Sequence, residues 1–173
     1  PEAVGQMRLS EDGRGEVLIF PFYSAASGEE TSFVIHNHES HAKALYLRFR
    51  EGLSGAEVLS FNLYLGPNDS FDGEVILNPN GSGAAVATLD SSCTVPVLGG
   101  VAGAPFDGFS STQADGRIFR VQPFNNYQYS SNREGFSATK DSNTDIRRTL
   151  VGSIEVIEMG QWGGGQSSGY SPS

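Results

Sequence analysis

All three histidines of the chain fall within one short stretch, His36-Asn37-His38-Glu39-Ser40-His41. On a strand, residues two apart share a face, so His36 and His38 would project together and His41 could fold back from the turn. Three imidazoles suit Zn or Cu, with Glu39 adding an oxygen. The plainer reading is a solvated strand-to-turn segment. Asn68-Asp69-Ser70-Phe71-Asp72-Gly73-Glu74 gathers oxygens as a calcium loop would. It departs from the EF-hand pattern, and Asx-type turn capping accounts for it better.

Catalytic chemistry is poorly represented. Nucleophilic catalysis needs a base beside the nucleophile, and Cys93, the single cysteine, sits in Ser91-Ser92-Cys93-Thr94-Val95 with no basic neighbour. Gly-x-Ser-x-Gly is absent, and Leu98-Gly99-Gly100-Val101-Ala102-Gly103 lacks the Lys-Ser/Thr of a phosphate loop. Paired carboxylates for glycoside hydrolysis arise by chance among 20 acidic residues. The expectation is a protein that is not an enzyme. Cys93 is expected to be buried and inert, as free cysteines usually are; pairing with another chain and pairing with a cysteine in a segment outside this sequence are the alternatives.

A binding role has better candidates. Phe124-Asn125-Asn126-Tyr127-Gln128-Tyr129 mixes aromatic and amide side chains as contact surfaces for sugars or proteins do. Phe124, Tyr127 and Tyr129 are therefore candidate partner-binding residues, against the alternative that Phe124 and Tyr127 close the end of a core. Trp162, in the Gly-rich tail, could dock on a neighbour. A formal charge of −9, from 11 basic and 20 acidic residues, repels a phosphate backbone, so nucleic acid is not an expected partner. No stretch approaches the roughly 20 apolar residues of a membrane-spanning helix.

The elements that would position these residues are strands. Glycine, 22 of 173 residues, is nearly twice its usual roughly 7%, which suits short strands and turns and weakens helices. In Lys43 to Arg50, Leu45, Leu47 and Phe49 alternate with Tyr46, Arg48 and Arg50; Val58 to Leu65 repeats the pattern. Gly15 to Tyr23, Thr31 to Asn37, Phe71 to Leu77, Ala84 to Leu89, Arg117 to Val121 and Leu150 to Glu158 complete the set. Pro21, lacking an N–H, places its strand at an edge or bulge. Gly66-Pro67-Asn68-Asp69 and Asn78-Pro79-Asn80-Gly81 are strong turns. Such spacing predicts an all-β, antiparallel β-sandwich, jelly-roll-like, with long loops between Ser91 and Asn143. Residues 1–13 read as an N-terminal arm, 14–159 as the domain, and 160–173 as a Gly/Ser-rich tail, both ends flexible. Thr144 to Leu150 allows a helical turn or two at most. Because the chain begins at Pro1, an export signal is expected to have preceded it.

The stretches Gly15 to Tyr23, Thr31 to Asn37, Arg48-Phe49-Arg50-Glu51-Gly52, Val58 to Pro67 and Ile154 to Gly160 resemble an uncharacterised family of secreted or cell-surface proteins of Gram-negative bacteria. The resemblance implies export and a surface location and supplies no active-site residues. Its members continue past the Glu-Met-Gly segment. The expectation is an extracellular structural subunit of a filament, sheath or surface layer, its partners copies of itself or other surface proteins. A glycan-binding or adhesive module is the alternative, and a His-cluster metal protein a third.

Overall fold

The computed structural model describes residues 14–79, 83–100, 108–126 and 143–162. Ten strands run in chain order: β1 Val17–Ser24, β2 Thr31–His36, β3 Ala42–Glu51, β4 Glu57–Leu65, β5 Ser70–Leu77, β6 Ala84–Thr88, β7 Cys93–Val95, β8 Phe109–Thr112, β9 Ile118–Pro123 and β10 Val151–Trp162. A 3-10 helix, Ile146–Leu150, leads into β10. The strands form two antiparallel five-stranded sheets, β1-β10-β3-β4-β7 and β2-β5-β6-β9-β8.

The alternating pattern decides which faces meet. Leu45, Leu47 and Phe49 of β3 and Leu59, Phe61, Leu63 and Leu65 of β4 are buried, and Phe33, Ile35, Phe71 and Val75 answer from the other sheet. Ring contacts cross the gap: Phe33 meets Phe49 at 6.0 Å and Phe61 meets Phe71 at 6.2 Å between centroids. Two sheets stacked over one apolar layer make a β-sandwich. The hairpins β3–β4, β5–β6 and β8–β9 each keep consecutive strands in one sheet. This order supplies the sandwich and not a jelly-roll winding in particular.

A glycine allows one close approach between β2 and β5. Phe33 lies opposite Gly73 across β2 and β5, and a Cβ on Gly73 would stand 2.5 Å from the far edge of that ring. Gly73→Ala is expected to cost about 1–3 kcal/mol of stability through overpacking, read from the urea midpoint. An unchanged midpoint would mean that the ring slides aside freely.

The segment after Asp90 is less irregular than its composition suggests. Glycines and serines hide β7 and β8, which are three and four residues long. The final strand runs beyond Met159 through Gly160 and Gln161 to Trp162, pairing with Ala44, Lys43 and Ala42 after a register shift. Residues 160–162, the first three of the expected tail, are therefore part of β10, because β3 is long enough to template them. The N-terminal arm, residues 1–13, and residues 163–173 lie outside the described residues. Among the described residues no helix is long and apolar enough to cross a membrane.

Candidate functional site

The histidine stretch is only partly drawn together. His36, the last residue of β2, and His38 are exposed with ring centroids 4.2 Å apart. Buried Asn37 builds the turn between them. Its Nδ2 donates to the carbonyls of His41 and Gly66, both at 2.7 Å, and its Oδ1 accepts from the Glu39 N–H. That turn draws in the backbone of His41 and not its ring. Among the described residues no group of three or more His, Cys, Asp or Glu is placed to hold a metal ion. Of the three imidazoles expected to act together, His36, His38 and His41, the structure brings the rings of His36 and His38 into contact. The oxygen-rich stretch divides: Asn68 and Asp69 lie in the turn, where Asp69 accepts from the N–H groups of Gly66 and Ser70, and Ser70 to Glu74 belong to β5.

The candidate binding loop divides. Phe124 is buried in the main core, 5.2 Å from Phe49 and 5.9 Å from Tyr23 between ring centroids. Its neighbour Asn125 donates its backbone N–H to Val58 O. Phe124 thus plugs the sandwich and offers no surface to a partner. Tyr127 and Tyr129 lie outside the described residues. The backbone of Trp162 is paired in β10. Cys93, expected buried, is exposed: strand alternation in β7 turns Thr94 inward and Cys93 and Val95 outward.

One constellation was not visible in the sequence. Glu51, ending β3, and Arg148, in the 3-10 helix, form a buried ion pair at 2.9 Å, with side chains 0% and 2% exposed. The Glu51 carboxylate also accepts from the N–H groups of Leu53, Ser54 and Ala56 and from Ser54 Oγ. Arg148 donates further to Ser54 Oγ and to Asn143 O. Burial pushes the Glu51 carboxyl upward, but the Arg148 guanidinium, Ser54 and the Ala56 and Leu53 N–H groups outweigh it and bring the pKa down to about 2. Every oxygen of that carboxylate is committed, and it faces core rather than cleft. The pair fastens the β3–β4 turn to the strap that enters β10, and it has the chemistry of a structural clasp.

The remaining candidates are the sheet edges, where unpaired N–H and C=O groups can template another strand. Natural edges are protected by shortness, charge, proline or bulges. On one side of the sandwich the edges are β7 and β8, both short, and Ser110, Ser111 and Thr112 of β8 are exposed. On the other side lie the longer β1 and β2, joined across the gap by Phe20 and Phe33 at 6.3 Å. In β1, Leu18 and Phe20 pack against the core, while Val17, Ile19 and Phe22 are 56%, 66% and 65% exposed. The register with β10 is regular from Val17 to Phe20 and shifts before Tyr23, placing Pro21 at a bulge as its missing N–H requires. The half of β1 before the bulge carries no charge and no proline. Among the described residues no strand pairs on its other side.

Compared with protein-family models, curated proteins and solved structures, the chain matches none.

Proposed function

We propose that this chain is an extracellular structural subunit of a bacterial surface assembly, such as a filament, sheath or surface layer, whose copies join by strand pairing at the edge of β1. What carries the reading is that edge: Val17 to Phe20 is uncharged, apolar on both faces and open on one side among the described residues. A strand laid beside it would gain backbone hydrogen bonds and cover Val17 and Ile19 together. The bulge at Pro21 and Phe22 ends the pairing there, so the added ladder is short and its register is set.

Ile19→Lys tests it. Ile19 points away from the core, so the domain should keep its melting temperature while self-association, followed by sedimentation and electron microscopy, weakens by about tenfold or more. Val34→Lys, on the exposed face of β2, serves as the control and should leave assembly intact. Equal assembly by wild type and Ile19→Lys, or a wild type that stays monomeric at all concentrations, rejects the reading.

A further inference from the structure

The outer face of the second sheet carries a depression of about 510 Å³. Its existence follows from side-chain size. Ala87, in the middle of the sheet, leaves the floor low, while Val34 stands on one bank and Phe119 on the other. Asp72, Glu74 and Asp90 line it. Strand register explains two of them: Val34 pairs with Asp72 and Ser32 with Glu74, so these four side chains share the exposed face of β2 and β5.

The electrostatics of the depression are unbalanced. Arg117, its one cation, is already held by Asp115 at 2.7 Å. Among the described residues no Lys, Arg or His side chain forms an ion pair with Asp72, Glu74 or Asp90. Asp90 accepts the Ser92 N–H at 2.6 Å, and Glu74 meets only the Ser32 hydroxyl, at 3.5 Å. The depression also adjoins an open edge, since β2 pairs only with β5 among the described residues.

We propose that this face binds an extended basic peptide segment of another protein, which adds a strand to the edge of β2 and lays Lys or Arg side chains across Val34 and Ser32 onto Asp72 and Glu74. An added strand would lie roughly 10 Å from β5, two strand spacings away. A long basic side chain covers that distance with its apolar stem on Val34 and its charged head at the carboxylates. Charge selects the occupant. The edge strand β1 of a second copy offers no basic residue from Val17 to Ser24 to these carboxylates, and a neutral sugar leaves them uncompensated. The site is separate from the β1 edge and stands whether or not β1 mediates assembly.

The experiment titrates the intact chain with a fluorescent octapeptide of alternating Lys and Thr, in low and high salt, with an alternating Glu-Thr octapeptide and a neutral hexasaccharide as comparison ligands. The Lys-Thr peptide should bind, lose affinity as salt rises, and slow backbone hydrogen exchange along β2. The double variant Asp72→Asn, Glu74→Gln should weaken it about tenfold. The variant Glu16→Gln, Glu57→Gln removes the same charge from the other sheet and should leave binding unchanged. Equal loss in both variants would reduce the effect to net charge and overturn the site. Binding without protection of β2 would overturn strand addition. Preference for the saccharide or the acidic peptide would overturn the chemistry, and no binding at all would overturn the proposal outright.

Discussion

Arg148→Met should lower the free energy of unfolding by about 3–5 kcal/mol, because it leaves the Glu51 carboxylate buried without its countercharge. Removing both members of a buried pair is often harmless when apolar groups of similar size replace them. Here it should not be. Glu51 also satisfies the N–H groups of Leu53, Ser54 and Ala56, and each buried donor left without an acceptor costs about 1–3 kcal/mol. Glu51→Leu, Arg148→Met is therefore expected to remain destabilised by at least about 2 kcal/mol in urea titrations. Wild-type stability in the double variant would show that the turn finds water or another acceptor.

The same clasp sets an acid limit. The folded pKa of Glu51, about 2, lies below its ordinary 4.5: burial opposes ionisation but is outweighed by Arg148, Ser54 and the turn N–H groups. A depressed carboxylate contributes stability that is fully present above pH 4.5 and is lost as pH falls from there toward 2. The contribution is about 3 kcal/mol. Asp115 and Asp145, held below the usual carboxylate range chiefly by hydrogen bonds from Arg117 and Arg147, act in the same direction at the surface. Glu51→Gln should flatten the pH dependence of the unfolding midpoint in that window. A wild-type slope in the variant would assign the acid sensitivity to other groups.

Gly152→Ala is the second large expected effect. Gly152, in β10, faces Glu51 of β3 and Tyr23 of β1. A Cβ there would collide with the Arg50 carbonyl oxygen and stand 2.7 Å from the Tyr23 hydroxyl. Backbone cannot swing away as a side chain can, so the loss should be at least about 3 kcal/mol. Tyr23→Phe added to Gly152→Ala removes the hydroxyl but not the carbonyl, and should rescue nothing. It would also forfeit the hydrogen bond from Tyr23 Oη to Thr149 O. Recovery in the double variant would show that the hydroxyl, not the backbone, sets the limit.

The strands were legible where period-two alternation runs long enough to separate a wet face from a dry one. Leu45 to Phe49 and Leu59 to Leu65 are buried in the order the pattern dictates. Pro21 marked an edge and a bulge by chemistry alone. The short strands β7 and β8 escaped, since three or four residues of cysteine, threonine and serine carry no period to detect. Phe124 escaped because an aromatic beside asparagines reads equally as surface or as plug; only its neighbours Tyr23 and Phe49 decide. The clasp was invisible for a deeper reason. Glu51 and Arg148 lie 97 positions apart, and nothing local distinguishes them from the other charges.

The central place of β10 has a consequence for how the molecule is made. β10 lies between β1 and β3, pairing Val17 with Ile157 on one side and Tyr46 with Ile157 on the other. During synthesis the flanking strands emerge long before the one that bridges them, and long-range pairing is slow. Until residues 151–162 leave the ribosome, β1 and β3 each present a vacant ladder to the cell. A chain ended before β10 is expected to leave both ladders open and to aggregate rather than form a smaller domain.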